Sequence, residues 1–427
     1  MSSAAATRIN LSAPWIDERD EELVLDVLRS GWLSLGPTGP RFEAALCDAT
    51  GASYAAAVSS GTAGLHLCMH LAGVGPGDEV ITSPYSFVAS ANCAIYEGAT
   101  PVFADIDPRT YNLDPAAVEA AITPRTKAIV AVDIFGYPCE LDELRAICDR
   151  HGLALVEDAC EALGARYKGE LIGSHGHPAV FAFYPNKQMT TGEGGADTTG
   201  SAEDHGIALI EDACEALGAT YKGQKIGSLP HPAVFAFYPN KQMTTGEGGA
   251  VTTYSGDEHE LLLSLRNQGR LETSSWLQHG FLGFNYRLDD MSAALGIGQL
   301  EKLDRILAAR GEVARRYNEL LAGVDVETPL PDDDDHQRSW FVYVVKLPEG
   351  VDRTYVMARL SDDGIATAPY LPSIHLQSYM RARYGFREGM LPVSEDCSAR
   401  TMALPFHARL DGSDQERVVE SLRSALG

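Results

Sequence analysis

The strongest constraint on this chain is that part of it occurs twice. Residues 151–204 (HGLALVEDACEALG…) align without a gap to residues 205–258 (HGIALIEDACEALG…), with 12 differences in 54 positions. A solenoid needs several units that stack on one another, and this period occurs nowhere else in the sequence. The repeat therefore reads as one tandem duplication inside some other fold, where each place meant for one unit has two claimants.

Composition bounds what that other fold is. With 427 residues, 45% hydrophobic and 22% charged, the chain can bury one large core, or a large and a small one, which excludes disorder and collagen-like structure. Its 34 basic and 59 acidic residues give a net charge of −25. An acidic surface without a Lys/Arg cluster repels phosphate backbones and anionic lipid, so nucleic acid and membranes are excluded as partners and a small-molecule enzyme is expected. The start MSSAAATRINLSAPW lacks a signal-peptide pattern, and no stretch approaches the roughly 18 apolar residues of a membrane span. A cytoplasmic protein is expected, and the eight cysteines, with no CxxC pair, fit reduced thiols.

Short apolar, β-rich runs alternate with helical patterns: Glu79–Ser83, Pro101–Asp105, Ala128–Asp133, Leu153–Glu157 and Val180–Tyr184, with a helix at Leu141–Arg150. The alternation predicts an α/β fold, a mostly parallel sheet with helices on both faces. Asp290–Leu321 carries apolar residues at helical spacing and predicts one long amphipathic helix. The division expected is a large domain over residues 1–290 and, over 291–427, a linking helix and a smaller α+β domain whose clearest strand is Phe341–Leu347. The run Pro331–His336 (PDDDDH) reads as a solvated loop rather than a cation site, because hard cations need folded-back, alternating ligands.

Three features carry chemistry. Ser59-Ser60-Gly61-Thr62-Ala63-Gly64 precedes a helical pattern, and a Gly/Ser/Thr turn at a helix N-terminus presents unpaired N–H groups to an anion; an N-cap without a ligand is the alternative. Glu157-Asp158-Ala159-Cys160-Glu161 and its copy Glu211-Asp212-Ala213-Cys214-Glu215 each end an apolar strand, where open parallel sheets bind ligands. Twenty-nine residues after each Asp stands a lysine, Lys187 or Lys241, in Phe-Tyr-Pro-Asn-Lys ahead of Thr-Thr-Gly-Glu-Gly-Gly. Desolvation beside such a loop lowers an ammonium pKa and frees the amine to attack a carbonyl.

These pieces, with Ser83-Pro84-Tyr85-Ser86-Phe87-Val88-Ala89, Gly283-Phe284-Asn285-Tyr286-Arg287 and Pro372-Ser373-Ile374-His375-Leu376, resemble the DegT/StrS family of fold-type I sugar aminotransferases over nearly the whole chain. The resemblance implies pyridoxal 5'-phosphate as cofactor and transfer of an amino group from an amino acid, first of all glutamate, to a nucleotide-linked keto-sugar or keto-cyclitol. It places the cofactor phosphate at Gly61, Thr62 and Ala63, and stacks Phe87 on the ring. Asp212 (or its duplicate Asp158) binds the ring nitrogen, with Glu215 (or Glu161) near the 3-hydroxyl. Lys241 (or Lys187) is the Schiff-base residue. Asn285 reaches the partner subunit's cofactor, implying a homodimer with shared sites, and His375 contacts substrate. No metal is implied. The family often has Ser five residues before the lysine; Ala182 and Ala236 stand there, which predicts somewhat weaker cofactor retention.

Two arguments bear on which copy works. The strand after the glycines is expected to be buried, and an unpaired carboxylate there costs several kcal/mol; the first copy has Asp197 where the second has Val251. Against this, the first copy follows a proper crossover helix, while Gly200–Gly206 is too short for a βαβ crossover. The expectation is that the first copy loops out and that Asp212 and Lys241 form the site. Two other readings stay open: a sugar dehydratase of similar fold, which carries histidine in place of the lysine that both copies retain here, and a non-catalytic member disabled by the duplication.

Overall fold

The computed structural model describes residues 8–50, 54–158, 162, 165–171, 179–182, 195–199, 210–212, 220–221, 224–225, 231–236, 245, 248–253, 256–270, 278–332, 336–338 and 340–427. Strands β1 (Tyr54–Val58), β2 (Glu79–Thr82), β3 (Thr100–Phe103), β4 (Thr126–Val132) and β5 (Ala154–Asp158) alternate with helices Gly61–Leu71, Ala89–Tyr96, Pro115–Ala121 and Leu141–His151. Pairing is parallel from β3 to β2, β2 to β4 and β4 to β5. Val80, Ile81, Ile129, Val130 and Leu155 are wholly buried, as expected for strands covered on both faces. The predicted strand and helix positions hold to within two residues at either end. Helix Leu141–His151 stops at Gly152, whose φ of 65° is the left-handed conformation that ends helices cheaply at glycine and turns the chain into β5.

Beyond β5 each element recurs one period later. The first copy holds β5, β6 (Arg166–Tyr167), β7 (Glu170–Leu171), β8 (Ala179–Ala182) and β9 (Gly195–Thr199). The second holds β10 (Ile210–Asp212), β11 (Thr220–Tyr221), β12 (Gln224–Lys225), β13 (His231–Ala236) and β14 (Gly249–Thr253). The sheet runs from β3 through β2, β4 and β5 at one side to β13, β14 and β1 at the other. Between β5 and β13 lie surplus strands: β10 pairs parallel with both, and β8 does the same.

The expectation that the first copy loops out is corrected at its front half. β5 pairs with β4 in five consecutive registers, from Ala128↔Ala154 to Val132↔Asp158. β6 pairs with β15 (His336–Gln337), and Tyr167 donates its hydroxyl to Glu140 at 3.0 Å. Leu153, Leu155, Ala162, Ala165 and Tyr167 all join the main core. The cause is the crossover helix, which hands the chain to the neighbouring parallel position before the second copy begins. At the far side the second copy prevails. β14 pairs antiparallel with β1, Val251 opposite Ala56, and leads into helix Gly256–Arg266. Val251 is wholly buried, which meets the requirement for an apolar residue where the first copy has Asp197.

The predicted helix over 290–321 is two helices, Asp290–Leu300 and Leu303–Leu320. The break falls at Glu301–Lys302, where the buried Lys302 ammonium binds Asp20 and lies 3.0 Å from Asp17. The first of these helices belongs to the main core, whereas Val313, Ala314 and Tyr317 of the second enter another core. That core is completed by β16 (Tyr343–Lys346), β18 (Thr401–Leu404, beside β17, Ala368–Pro369) and helices Arg353–Asp362 and Gly412–Leu426. Ile9 belongs to it too, bridged to Ile365. Of the PDDDDH run, 333–335 lie outside the described residues, and Asp332 accepts from the Arg338 amide at 3.0 Å. Six cysteines are described, and no disulfide joins any of them. No helix among the described residues is long and apolar enough to cross a membrane.

Candidate active site

β14 runs antiparallel to both β13 and β1, so β1 points the same way as β13, β5, β4 and β2. The segments leaving these strands therefore gather along one edge of the sheet, the edge where open α/β sheets bind ligands. After β1, Ser60 caps helix Gly61–Leu71, its Oγ accepting from the Ala63 amide at 3.1 Å. Gly61 and Ala63 are buried and Thr62 is half-buried. The Ala63 amide, which the resemblance assigns to the phosphate, is thus engaged by the cap; the dipole end of an 11-residue helix still favours an anion here.

After β2 comes the Phe87 turn. Phe87 is 63% exposed, an unusual state for so large an apolar ring and one that leaves a face open. Three residues on, the hydroxyl of buried Ser90 donates to the carboxylate of Asp158, and the Ser90 amide donates to the Phe87 carbonyl at 3.3 Å. With its one proton directed to Asp158, Ser90 Oγ accepts from Ser86 Oγ at 2.9 Å. Asp158 itself is 2% exposed. Ser90 was missed in the sequence; its signal was a position at the start of a helix, four residues after Ser86, where i,i+4 side chains meet.

The Gly283–Arg287 motif braces the turn after β1. The Ser59 amide donates to the Tyr286 carbonyl at 2.7 Å. The Tyr286 hydroxyl lies 2.9 Å from His66 Nδ1, and His66 Nε2 lies 3.2 Å from Glu97. Burial pushes the His66 pKa down against the pull of Glu97, so the imidazole is neutral and bridges the two. Gly283 is required by space, since a Cβ would fall 2.1 Å from the Gly269 nitrogen. Asn285 within the motif is exposed, beside exposed Phe281 and Leu282.

His375 is wholly buried. Its Nε2 lies 3.1 Å from Glu395, and the Ile374 amide donates to the Pro84 carbonyl at 2.7 Å, joining this segment to the turn after β2. Lys187, Lys241, Glu161 and Glu215 lie outside the described residues. Of Asp212 the backbone is described: it stands opposite Asp158 in the β5–β10 pair. Ala182 and Ala236 end β8 and β13.

The DegT/DnrJ/EryC1/StrS aminotransferase family matches residues 14–203 and again residues 200–423. This chain belongs to that family. The match is divided within the duplicated segment, as a doubled unit requires. The chain is 35% identical over 423 residues to a GDP-perosamine synthase of Caulobacter vibrioides, covering 98% of each. It is 34% identical to the spore coat polysaccharide biosynthesis protein SpsC of Bacillus subtilis, covering 97% of this chain and 96% of that one. Among solved structures it resembles the aminotransferase TlmJ of Streptoalloteichus hindustanus, with a TM-score of 0.79, 29% identity and coverage of 98% and 99%. The protein is accordingly a transaminase dependent on pyridoxal phosphate. The residues present fit that cofactor: Phe87 offers an open ring face, and joined to it through Ser90 is a buried carboxylate.

Proposed function

We propose that this enzyme moves an amino group from an amino acid, glutamate first, to a nucleotide-linked keto-sugar or a related keto-cyclitol. The observation that carries the reading is the buried Asp158 carboxylate joined through Ser90 to the exposed Phe87. Pyridoxal phosphate, when bound, supplies an aldehyde and an electron-withdrawing ring that stabilises negative charge on the donor's α-carbon. A strand-end aspartate keeps the ring nitrogen protonated, and Phe87 covers one face of the ring. Thr62 and the start of helix Gly61–Leu71 hold the phosphate, and Glu161 or Glu215 lies near the 3-hydroxyl. The lysine, Lys241 or Lys187, would hold the cofactor at rest, and its released amine would take up the proton that leaves the donor's α-carbon. His375 is assigned to the acceptor side. The reading includes a homodimer in which exposed Asn285 reaches the partner's cofactor, and a cytosolic location. The names of the relatives, a perosamine synthase and a spore-coat polysaccharide protein, support a sugar acceptor.

The test is spectroscopic. Purified enzyme loaded with pyridoxal phosphate should lose its visible absorbance on addition of glutamate and regain it with a nucleotide keto-sugar; a panel of keto-sugars and ketocyclitols then identifies the acceptor. A second reading, a family member without catalysis, is favoured by the surplus strands between β5 and β13. Protein that stays colourless after reconstitution would support it.

A further inference from the structure

We infer that the cofactor site is divided between the two repeat copies, with Asp158 of the first copy holding the ring nitrogen and Lys241 of the second forming the covalent bond. This rests on the function proposed above. It replaces the within-copy pair Asp212 and Lys241 that strand polarity alone favoured.

Four observations lead to it. Asp158, not Asp212, is opposite Val132 at the end of β4, and its carboxylate is the one held by Ser90. Because the Ser90 amide donates to the Phe87 carbonyl, the ring-stacking residue and the first-copy carboxylate are tied into one unit. The first copy also keeps its place after Asp158: Tyr167 is in the core and β6 pairs with β15. On the other side the second copy is built in. β14 pairs with β1, the strand that leads into Ser60 and the phosphate-facing helix, and β13 pairs with β14. Lys241 follows β13 by five residues in sequence and precedes β14 by eight. β9, the first-copy counterpart of β14, pairs with β8 and β13 and not with β1. Among the described residues, the strand paired with β1 thus comes from the second copy.

A direct repeat makes the division natural. A crossover helix fixes the entry into the duplicated segment, and helix Gly256–Arg266 fixes the exit. The chain between these anchors contains one period too many, and the excess falls in the middle, between β7 and β13. The ends of the segment, one from each copy, fill the outer positions.

The full-length protein decides the matter. The amine of the bonded lysine condenses with the cofactor aldehyde, losing one water. Borohydride then delivers hydride to the carbon of the resulting C=N bond, and solvent protonates the nitrogen, leaving a permanent pyridoxyl-lysine. The two tryptic peptides differ at His175 against Leu229 and Asp197 against Val251, so mass separates them. The expected result is label on Lys241, D158N losing pyridoxal phosphate retention at least tenfold in equilibrium dialysis, and D212N staying within twofold of the parent. Label on Lys187, or loss of retention in D212N, overturns the division while leaving the enzyme class intact. If D158N does not fold, the label position and the D212N retention still decide. Label on neither lysine sinks the transaminase reading of the site, and the division with it.

Discussion

Deleting residues 172–225 removes one full period of 54 residues and joins Leu171 to Ile226, retaining β5–β7 from the first copy with β13 and β14 from the second. In the full chain β7 and β13 are linked by the 59 residues 172–230, and in the variant by the five residues 226–230. With closure entropy scaling as (3/2)RT ln n, the shorter link is favoured by about 2 kcal/mol. Such a gain raises the melting temperature of a large domain by roughly 4 °C. The deletion also changes geometry. β10 lies between β5 and β13, and neighbouring strands are about 4.8 Å apart, so its removal brings β13 about 5 Å closer to β5. Cofactor retention should tighten at least tenfold, about 1.4 kcal/mol. Scanning fluorimetry and equilibrium dialysis on parent and variant measure both, and soluble yield should rise with them. A variant that melts below the parent, or binds pyridoxal phosphate no better, would refute the claim that the surplus lies between these strands. The alternative excision of 151–204 also leaves one period and should improve yield as well.

Phe87→Ala should leave the melting temperature within about 1 °C, since surface changes usually cost under 0.5 kcal/mol and the ring is 63% exposed, yet weaken cofactor retention; a large loss of stability without loss of retention would show the ring to be structural. Lys302→Ala strands the Asp20 carboxylate, itself 1% exposed, and should cost about 3–5 kcal/mol in urea unfolding. His407 is held down to about 4, first by burial and then by Arg310 and Arg409. Its folded pKa lies below the ordinary histidine value, so its contribution is complete above pH 6.5 and is lost as pH falls towards 4, about 3 kcal/mol in all. His407→Gln should flatten the stability profile across that window, and an unchanged slope between pH 7 and 4 would count against the assignment.

Much of the sheet was readable because buried parallel strands are continuous apolar runs, and Val80-Ile81 or Ile129-Val130 have no other obvious use. The conflict between the copies was readable as well: Val251 against Asp197 for the last strand, the crossover helix against the seven residues 200–206 for the first. Each argument was sound for its own end of the segment, and the error lay in asking one copy to satisfy both. Local composition could not reveal that, because the two copies are nearly identical and the choice is made by what flanks them. Ser90 escaped notice since its partner Asp158 is 68 residues away. The helix break at Lys302 is likewise set by the distant Asp20, against an unbroken apolar period. His375 was marked by the family motif alone, and its burial against Glu395 is a property of tertiary packing.

The bridge from Ile9 to Ile365 has a consequence for the order of events during synthesis. The Ile9 amide donates to the Gly364 carbonyl and the Ala366 amide to the Ile9 carbonyl, at 2.9 and 3.0 Å, so Ile9 finds its partners only after the whole intervening chain has been translated. The main sheet, whose crossovers are local, can assemble on the ribosome well before then. The duplicated segment emerges during that interval, when both copies compete for the sheet and the second core is still missing. Any fault in choosing between them is therefore made before the chain can close on itself.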